Sequence, residues 1–363
     1  MNIAFFCIPA HGHTNPTLAV VRELTARGHT VRYYTTEAFR AKVEAAGAVF
    51  VPFDTEAARP GMTAADGARL GSDLAFSTKL IVDLTLAADD WLSRELTAHR
   101  PDVIAGDSMA FWAKLAAKKH GIPFVSSTTT FAFNRFSAKV IEQNGAGFLQ
   151  FLLAQPRINR QLKRLRAAGY AVKSVFDIIA NDNETETVVY TSPDFQPCAD
   201  TFSEKYHFVG PLLRPAQSSF EKLPGRSLIY ISLGTVNNDA LPFYRACLAA
   251  FGGDPRFQLV LSAGTQTDLA ALGPIPENCT VRASVDQMAV LDCADVFLTH
   301  CGMNSASEGL WHGLPLVLYP QTPEQHGVAN RVAALGAGVP LTDPSADGIR
   351  RAVEAALTDP AYR

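Results

Sequence analysis

Few of the motifs that mark the common enzyme classes occur in these 363 residues. There is no GxGxxG fingerprint and no Walker phosphate loop, which argues against dehydrogenase and kinase chemistry. No GxSxG turn presents a nucleophilic serine. No group of histidine, cysteine and acidic residues has metal-ligand spacing, so no metal or other cofactor is expected. The six cysteines (Cys7, Cys198, Cys247, Cys279, Cys293, Cys301) are scattered without a CxxC pair. Buried free thiols in a reducing compartment account for them better than disulfides or zinc. No apolar run approaches bilayer length. The apolar start Met1–Ile8 lacks a basic leader and reads as a first strand, so a cytoplasmic location is expected. A net charge of −3 gives no reason to expect nucleic acid or an anionic membrane as partner.

What is present is an α/β rhythm, twice. Continuous apolar runs at Ile3–Ile8, Val31–Thr35, Val49–Phe53, Val103–Ala105 and Phe124–Ser127 predict strands buried on both faces, as in a parallel sheet. Helical patterns lie between them: one starting near Pro16 and stopped by Gly28, one over Glu37–Ala46, one over Ala110–His120. The stretch Thr55–Asp73 reads as surface loop or short helices, and residues 130–182 as an amphipathic, locally basic region with a solvated face. A linker is expected over 213–226, after which strands recur at Leu228–Ser232, Leu259–Ser262, Val296–Thr299 and Leu316–Tyr319. The expected fold is therefore two doubly wound domains, 1–212 and 227–363, with ligands outside the carboxyl ends of their strands.

Three places carry candidate chemistry. His13, beyond the first strand and ahead of a helix, can take a proton near neutral pH. The plainer reading is a polar loop histidine that caps the helix. Asp107, just past the fourth strand, can orient such an imidazole, or simply cap the segment starting near Met109. The third is His300–Glu308, a polar turn between a buried strand and a helix predicted over Met303–His312. Outward backbone N–H groups and the helix dipole make such a turn an anion site. A second polar cluster, Pro320–Gln325, follows the next strand.

Together, Gly12-His-Thr-Asn-Pro16, His300-x-Gly-x-x-Ser-x-x-Glu308 with Pro320-x-x-x-Glu-Gln325, and the two-domain pattern resemble the GT-B glycosyltransferases of family 1. The resemblance is strongest to bacterial macrolide-type, UDP-sugar-dependent transferases of natural products, and it spans essentially the whole chain. It implies two Rossmann-like domains facing a central cleft, with the acceptor on the first and the nucleotide sugar on the second. It implies His13 as general base supported by Asp107. His300, Gly302, Asn304 and Ser305 would bind the diphosphate, and Ser232, Gly234 and Thr235 would line it. Glu308 would hold the ribose, Val285 and Gln287 would border the base, and Glu324 and Gln325 would hold the sugar. Ser126, Thr128 and Phe131 are candidate acceptor contacts. Aromatic and apolar content around them (Phe76, Trp91, Phe133, Phe136, Phe148, Phe151) suggests a greasy aglycone, although most of these side chains read equally as core.

The chain departs from the family pattern at three points. Ser284-Val-Asp-Gln287 stands where Trp-Val-Pro-Gln is common, so an aromatic platform for the base is missing and uridine and thymidine donors both stay open, with UDP-glucose favoured. Glu324 stands where Asp is frequent. The chain stops at Arg363, soon after a helix expected over Asp347–Leu357, where family members usually continue, so a truncation is expected. Partners implied are a sugar donor and an apolar acceptor, in a monomer or homodimer. Two rival functions stay open, a nucleotide-sugar epimerase of the same architecture and a non-catalytic nucleotide-sugar-binding auxiliary protein.

Overall fold

The computed structural model describes residues 1–53, 73–134, 136–137, 147–181, 183–235 and 238–362, with side chains of 147–152 not described. The chain divides into two units, Met1–Leu212 and Leu213–Arg363.

The first unit holds a seven-stranded sheet in the order β3-β2-β1-β4-β5-β6-β7. Its strands are β1 (Asn2–Phe6), β2 (Thr30–Thr35), β3 (Val49–Pro52), β4 (Val103–Asp107), β5 (Phe124–Thr128), β6 (Glu186–Val189) and β7 (Tyr206–Phe208). Its helices are α1 (His11–Ala26), α2 (Arg40–Ala45), α3 (Leu74–His99), α4 (Phe111–His120), α5 (Gly147–Ala167) and α6 (Phe176–Ile179). Every pairing is parallel. The alternation of side chains along β1 explains its uninterrupted apolar sequence. Ile3, Phe5 and Cys7 enter one core, while Ala4 and Phe6 enter the core on the opposite face. Register adds to this. Phe5 pairs with Tyr33 and Phe6 with Tyr34, and both pairs stack, at 5.0 and 4.2 Å between ring centres. Such pairs contribute about 1 kcal/mol each beyond area burial.

The second unit repeats the plan with six parallel strands in the order β10-β9-β8-β11-β12-β13. They are β8 (Ser227–Ser232), β9 (Phe257–Ser262), β10 (Cys279–Arg282), β11 (Val296–Thr299), β12 (Leu316–Leu318) and β13 (Gly338–Pro340). The helices are α7 (Leu241–Phe251), α8 (Gln287–Leu291), α9 (Met303–Trp311), α10 (Pro323–Ala334) and α11 (Ala346–Thr358). In both sheets the strand order reverses between the first and fourth strand. That leaves a crevice at β1/β4 in one unit and at β8/β11 in the other, the switch point where doubly wound sheets bind ligands.

Two expectations are corrected. Helix α1 starts at His11, not near Pro16, so Pro16 lies inside it and His13 sits in its first turn rather than in a preceding loop. Ala10 is the extended residue before the helix, and the N–H groups of His13 and Thr14 both turn back to its carbonyl, which starts the helix early. The segment over Glu37–Ala46 is not one helix but a 3₁₀ turn, Glu37–Phe39, leading into α2. The expected loop Thr55–Asp73 falls, up to Ser72, outside the described residues; Asp73 itself caps α3, accepting the Phe76 N–H at 3.0 Å. Among the described residues no helix is long and apolar enough to cross a membrane.

Candidate active site

At the first switch point the end of β4 and the first turn of α1 bring two distant residues together. His13 Nδ1 lies 2.7 Å from Asp107 Oδ2. The carboxylate is fully buried and the imidazole mostly so. Asp107 Oδ1 accepts the Met109 N–H at 2.9 Å, so one oxygen shapes the turn into α4 while the other holds the ring. Ala110, not Asp107, is the residue that flanks α4 at its start. Thr129, one residue past β5, adds its Oγ1 at 2.9 Å from the same Nδ1. A carboxylate against Nδ1 holds the proton there, which makes Nε2 the basic nitrogen of the ring. Beside this group opens a pocket lined by Asp107, Phe111, Phe124, Ser126, Thr128 and Phe131. Ser126 and Thr128 share one face of β5, two residues apart. Met109 and Phe133, also in its lining, are solvent-exposed. Of the other aromatic residues, Trp91 packs against Tyr34 and Phe53 as core, Phe136 is exposed, and the side chains of Phe148 and Phe151 lie outside the described residues.

The second switch point is built differently. His300 follows β11, its N–H 3.4 Å from the Ser232 carbonyl at the end of β8. The ring lies between two glycines. A Cβ added at Gly234 would come 2.6 Å from His300 Nε2, and one at Gly302 would come 2.5 Å from it. Gly234 also has φ +80°, a left-handed conformation that favours glycine. Burial pushes the His300 pKa down to about 4, against the pull of the Ser232 carbonyl oxygen, which favours the protonated ring. The ring is therefore neutral at pH 7, a donor through one nitrogen and not a cation. Its Nδ1 is buried with no partner among the described residues, an arrangement that costs about 1–3 kcal/mol.

Cys301, next in the chain, has φ +64°, an uncommon conformation for a residue with a Cβ, worth about 1–2 kcal/mol of strain. Its N–H reaches Thr299 Oγ1 at 3.2 Å, which holds the turn. Gly302 then flanks α9, placing Asn304 and Ser305 in the first turn, where backbone N–H groups are unsatisfied by the helix itself. One turn on, Glu308 accepts from Gln287 Nε2, and Gln287 Oε1 accepts from Tyr230 at 3.0 Å. Burial lifts the Glu308 carboxyl above its ordinary range, against the Gln287 bond and the charge of Arg214. Ser232 is buried and its Oγ accepts the Gly234 N–H at 3.3 Å; Thr235 is exposed and Val285 half-buried. Glu324 and Gln325 occupy the first turn of α10. Thr322 caps that helix by accepting the Gln325 N–H, and Gln325 Oε1 accepts the Gln321 N–H at 2.8 Å. Gln325 therefore has a capping role whether or not it meets a ligand.

Thr129 and Tyr230 belong to these clusters. The sequence offers Thr129 only as part of the polar rim Ser126–Phe131 expected near the acceptor, and gives Tyr230 no role, so the stretches were visible and the partners were not. Among the described residues no group of three or more His, Cys, Asp or Glu residues is placed to hold a metal ion.

Comparison with known proteins bears on this architecture. Residues 257–363 match the family described as erythromycin biosynthesis protein CIII-like, C-terminal domain. The NDP-glycosyltransferase YjiC of Bacillus licheniformis is 33% identical over 99% of this chain and 90% of its own length. The demethyllactenocin mycarosyltransferase of Streptomyces fradiae is 34% identical over 93% of this chain and 75% of its own. Among solved structures, the glycosyltransferase of kitacinnamycin superposes with a TM-score of 0.83 at 31% identity, covering 99% of this chain and 91% of the other. Identity at this level across both units is a statement about the whole enzyme and not about one module. The chain belongs to the GT-B-fold glycosyltransferases related to the bacterial nucleotide-sugar transferases that act on natural-product aglycones.

Proposed function

We propose that the protein is an inverting O-glycosyltransferase that moves a hexose from a uridine or thymidine diphosphate sugar, UDP-glucose favoured, to a hydroxyl of an apolar natural-product aglycone. The carrying observation is the His13 Nδ1 contact of 2.7 Å with a buried Asp107 carboxylate. In this reading the first unit, 1–212, binds the acceptor and the second, from 227, binds the donor, with 213–226 as the linker. His13 Nε2 takes the acceptor proton as the acceptor oxygen bonds to the anomeric carbon. The bond from that carbon to the phosphate oxygen breaks, and its electron pair leaves with the diphosphate. Asp107 stabilises the imidazolium that forms.

Charge on the departing diphosphate is met by the α9 N-terminus and the ring N–H of His300, without recourse to a metal. Preorganised donors of this kind lower a barrier by about 3 kcal/mol each. Glu308 holds the ribose, Val285 and Gln287 border the base, and Ser232, Gly234 and Thr235 line the phosphates with Gly302, Asn304 and Ser305. Glu324 and Gln325 hold sugar hydroxyls. The pocket with Ser126, Thr128 and Phe131, and its exposed Met109 and Phe133, supports an apolar acceptor. The names of the mycarosyltransferase and of the kitacinnamycin enzyme support a natural-product acceptor.

The test is a donor panel by thermal shift, followed by mass-spectrometric screening of phenolic, macrolide and terpenoid acceptors. A glycosylated acceptor with inverted anomeric configuration is expected. A new sugar formed from donor alone would instead identify an epimerase, and donor binding without any conversion an auxiliary binding protein.

A further inference from the structure

The segment ahead of β8 is fastened along its own unit. Asp286 Oδ2 accepts the Gln217 N–H at 2.6 Å, the Ser218 N–H at 2.8 Å and the Ser218 hydroxyl at 3.1 Å. Further on, Lys222 pairs with Asp295, and the Leu223 N–H reaches Gln258 Oε1 at 2.8 Å. A stretch expected to be a linker is thus a strap, and its first anchor is the residue beside Gln287. Three backbone and hydroxyl donors on one carboxylate oxygen are a specific arrangement, because each would otherwise turn to water. Burial raises the Asp286 carboxyl, but the bonds from Gln217 and Ser218 outweigh it and hold it below its ordinary range.

Three residues before that anchor stands Arg214. It is exposed, and among the described residues it makes no hydrogen bond or ion pair. The clamp on Gln217 and Ser218 keeps it at this edge of the unit, because the anchor Asp286 adjoins Gln287, the partner of both Glu308 and Tyr230, and its charge favours the ionised forms of Glu308 and Asp286. The neighbouring segment Ser284–Gln287 offers no aromatic ring. A guanidinium is planar, weakly hydrated and stacks on π faces as readily as it pairs with charge.

We propose that Arg214 is the platform for the nucleobase, its guanidinium plane lying over the base of the donor nucleotide, with the Asp286 clamp on residues 217–218 holding it there. This deepens, and rests on, the donor-site reading given above. Stacking reads the face of a base and not its edges, so uridine and thymidine diphosphates are expected to bind within a few-fold of each other. The strap also makes Asp286 a positioning residue that need not touch the nucleotide.

Calorimetry with UDP and dTDP, and competition by inorganic pyrophosphate, tests this on the full chain. Arg214→Ala is expected to weaken both nucleotides roughly tenfold, the usual scale for removing one stacking partner, and to leave pyrophosphate competition unchanged. Arg214→Lys, a compact charge without a plane, is expected to stay as weak as the alanine variant. Asp286→Ala is expected to weaken nucleotide binding too, with the double variant no weaker than Arg214→Ala alone. Full rescue by lysine makes Arg214 a charge partner of the carboxylates and overturns the proposal, as does an equal loss of pyrophosphate. Additive losses in the double variant overturn the clamp. If Arg214→Ala binds UDP normally while His300→Ala does not, the platform alone fails. If both bind normally, the donor-site reading beneath it fails.

Discussion

The two switch points occupy the same place in two similar sheets, yet they are finished in opposite ways. At β1/β4 the polar groups satisfy one another: His13 has Asp107 and Thr129, and Asp107 has the Met109 N–H as well. At β8/β11 the protein leaves its polar groups short. His300 Nδ1 is buried without a partner among the described residues, its ring is forced neutral, and the Glu308 carboxyl is pushed up by burial. In the proposed reaction the first crevice moves a proton, which requires a ring held in one tautomer before substrate arrives. The second would receive a ligand whose oxygens complete what the protein withholds. On this proposal the site for chemistry is closed on itself, and the site for binding carries a deficit that binding removes.

The largest expected effect falls on the closed site. His13→Ala is expected to lower turnover of a hydroxyl acceptor by about a thousandfold or more, the range for loss of a positioned general base, with UDP affinity unchanged by calorimetry. Retained turnover of an alcohol acceptor would break the comparison at its strongest point. Asp107→Asn is expected to follow within about tenfold, since it leaves the ring in place and removes what holds the Nδ1 proton. Next comes the open site. His300→Ala is expected to weaken nucleoside diphosphate binding by roughly 10–100-fold, the worth of one hydrogen bond to a charged group, leaving the acceptor side intact.

A pH titration sharpens the difference between the two sites. The His300 pKa in the folded state lies near 4 against an ordinary 6.5. The unfolded chain therefore binds the extra proton first, and folded stability falls as pH drops from about 6.5 toward 4. The contribution is on the order of 3 kcal/mol at most. Glu308 has the opposite sign: burial raises it, so its penalty grows as pH rises through the carboxylate range. Denaturant melts of wild type and His300→Ala across this window isolate the histidine. Equal slopes in both would show that the ring is not held neutral. The smallest effect is expected from Thr129→Val. Turnover is expected to fall less than tenfold, with a displaced pH–rate profile, because Asp107 alone still orients the ring. An unchanged profile would leave Thr129 a purely structural residue.

The sequence made some of this legible and hid the rest for identifiable reasons. Strands such as β1, β2, β8 and β11 announce themselves because both faces are buried and their sequences are mostly apolar, polar residues falling mainly at the strand ends. Strands β7, β10 and β13 escaped because they are sheet edges, paired on one side only, short, and free to carry His207, Thr280 or Pro340. β6, Glu186–Val189, lies beside such an edge, is only four residues long and opens on two polar residues. The start of α1 was misread because Pro16 looks like a first-turn residue and is not one. For the sites, the motif residues and their places at strand ends were readable. Their partners were not: His13 and Asp107 stand 94 residues apart, and nothing local to Asp286 announces that it grips Gln217 and Ser218.

The ring of His300 occupies the space that two Cβ atoms would need. Genetically, Gly234 and Gly302 are therefore not independent positions but part of the histidine's own specification. A library randomised at the two glycines and selected for transfer would return glycine at both, whatever residues flank them. Randomised in a background where position 300 is small, position 302 would tolerate alanine and serine while 234, held at φ +80°, would still favour glycine, so that weakened donor binding and regained tolerance at 302 travel together.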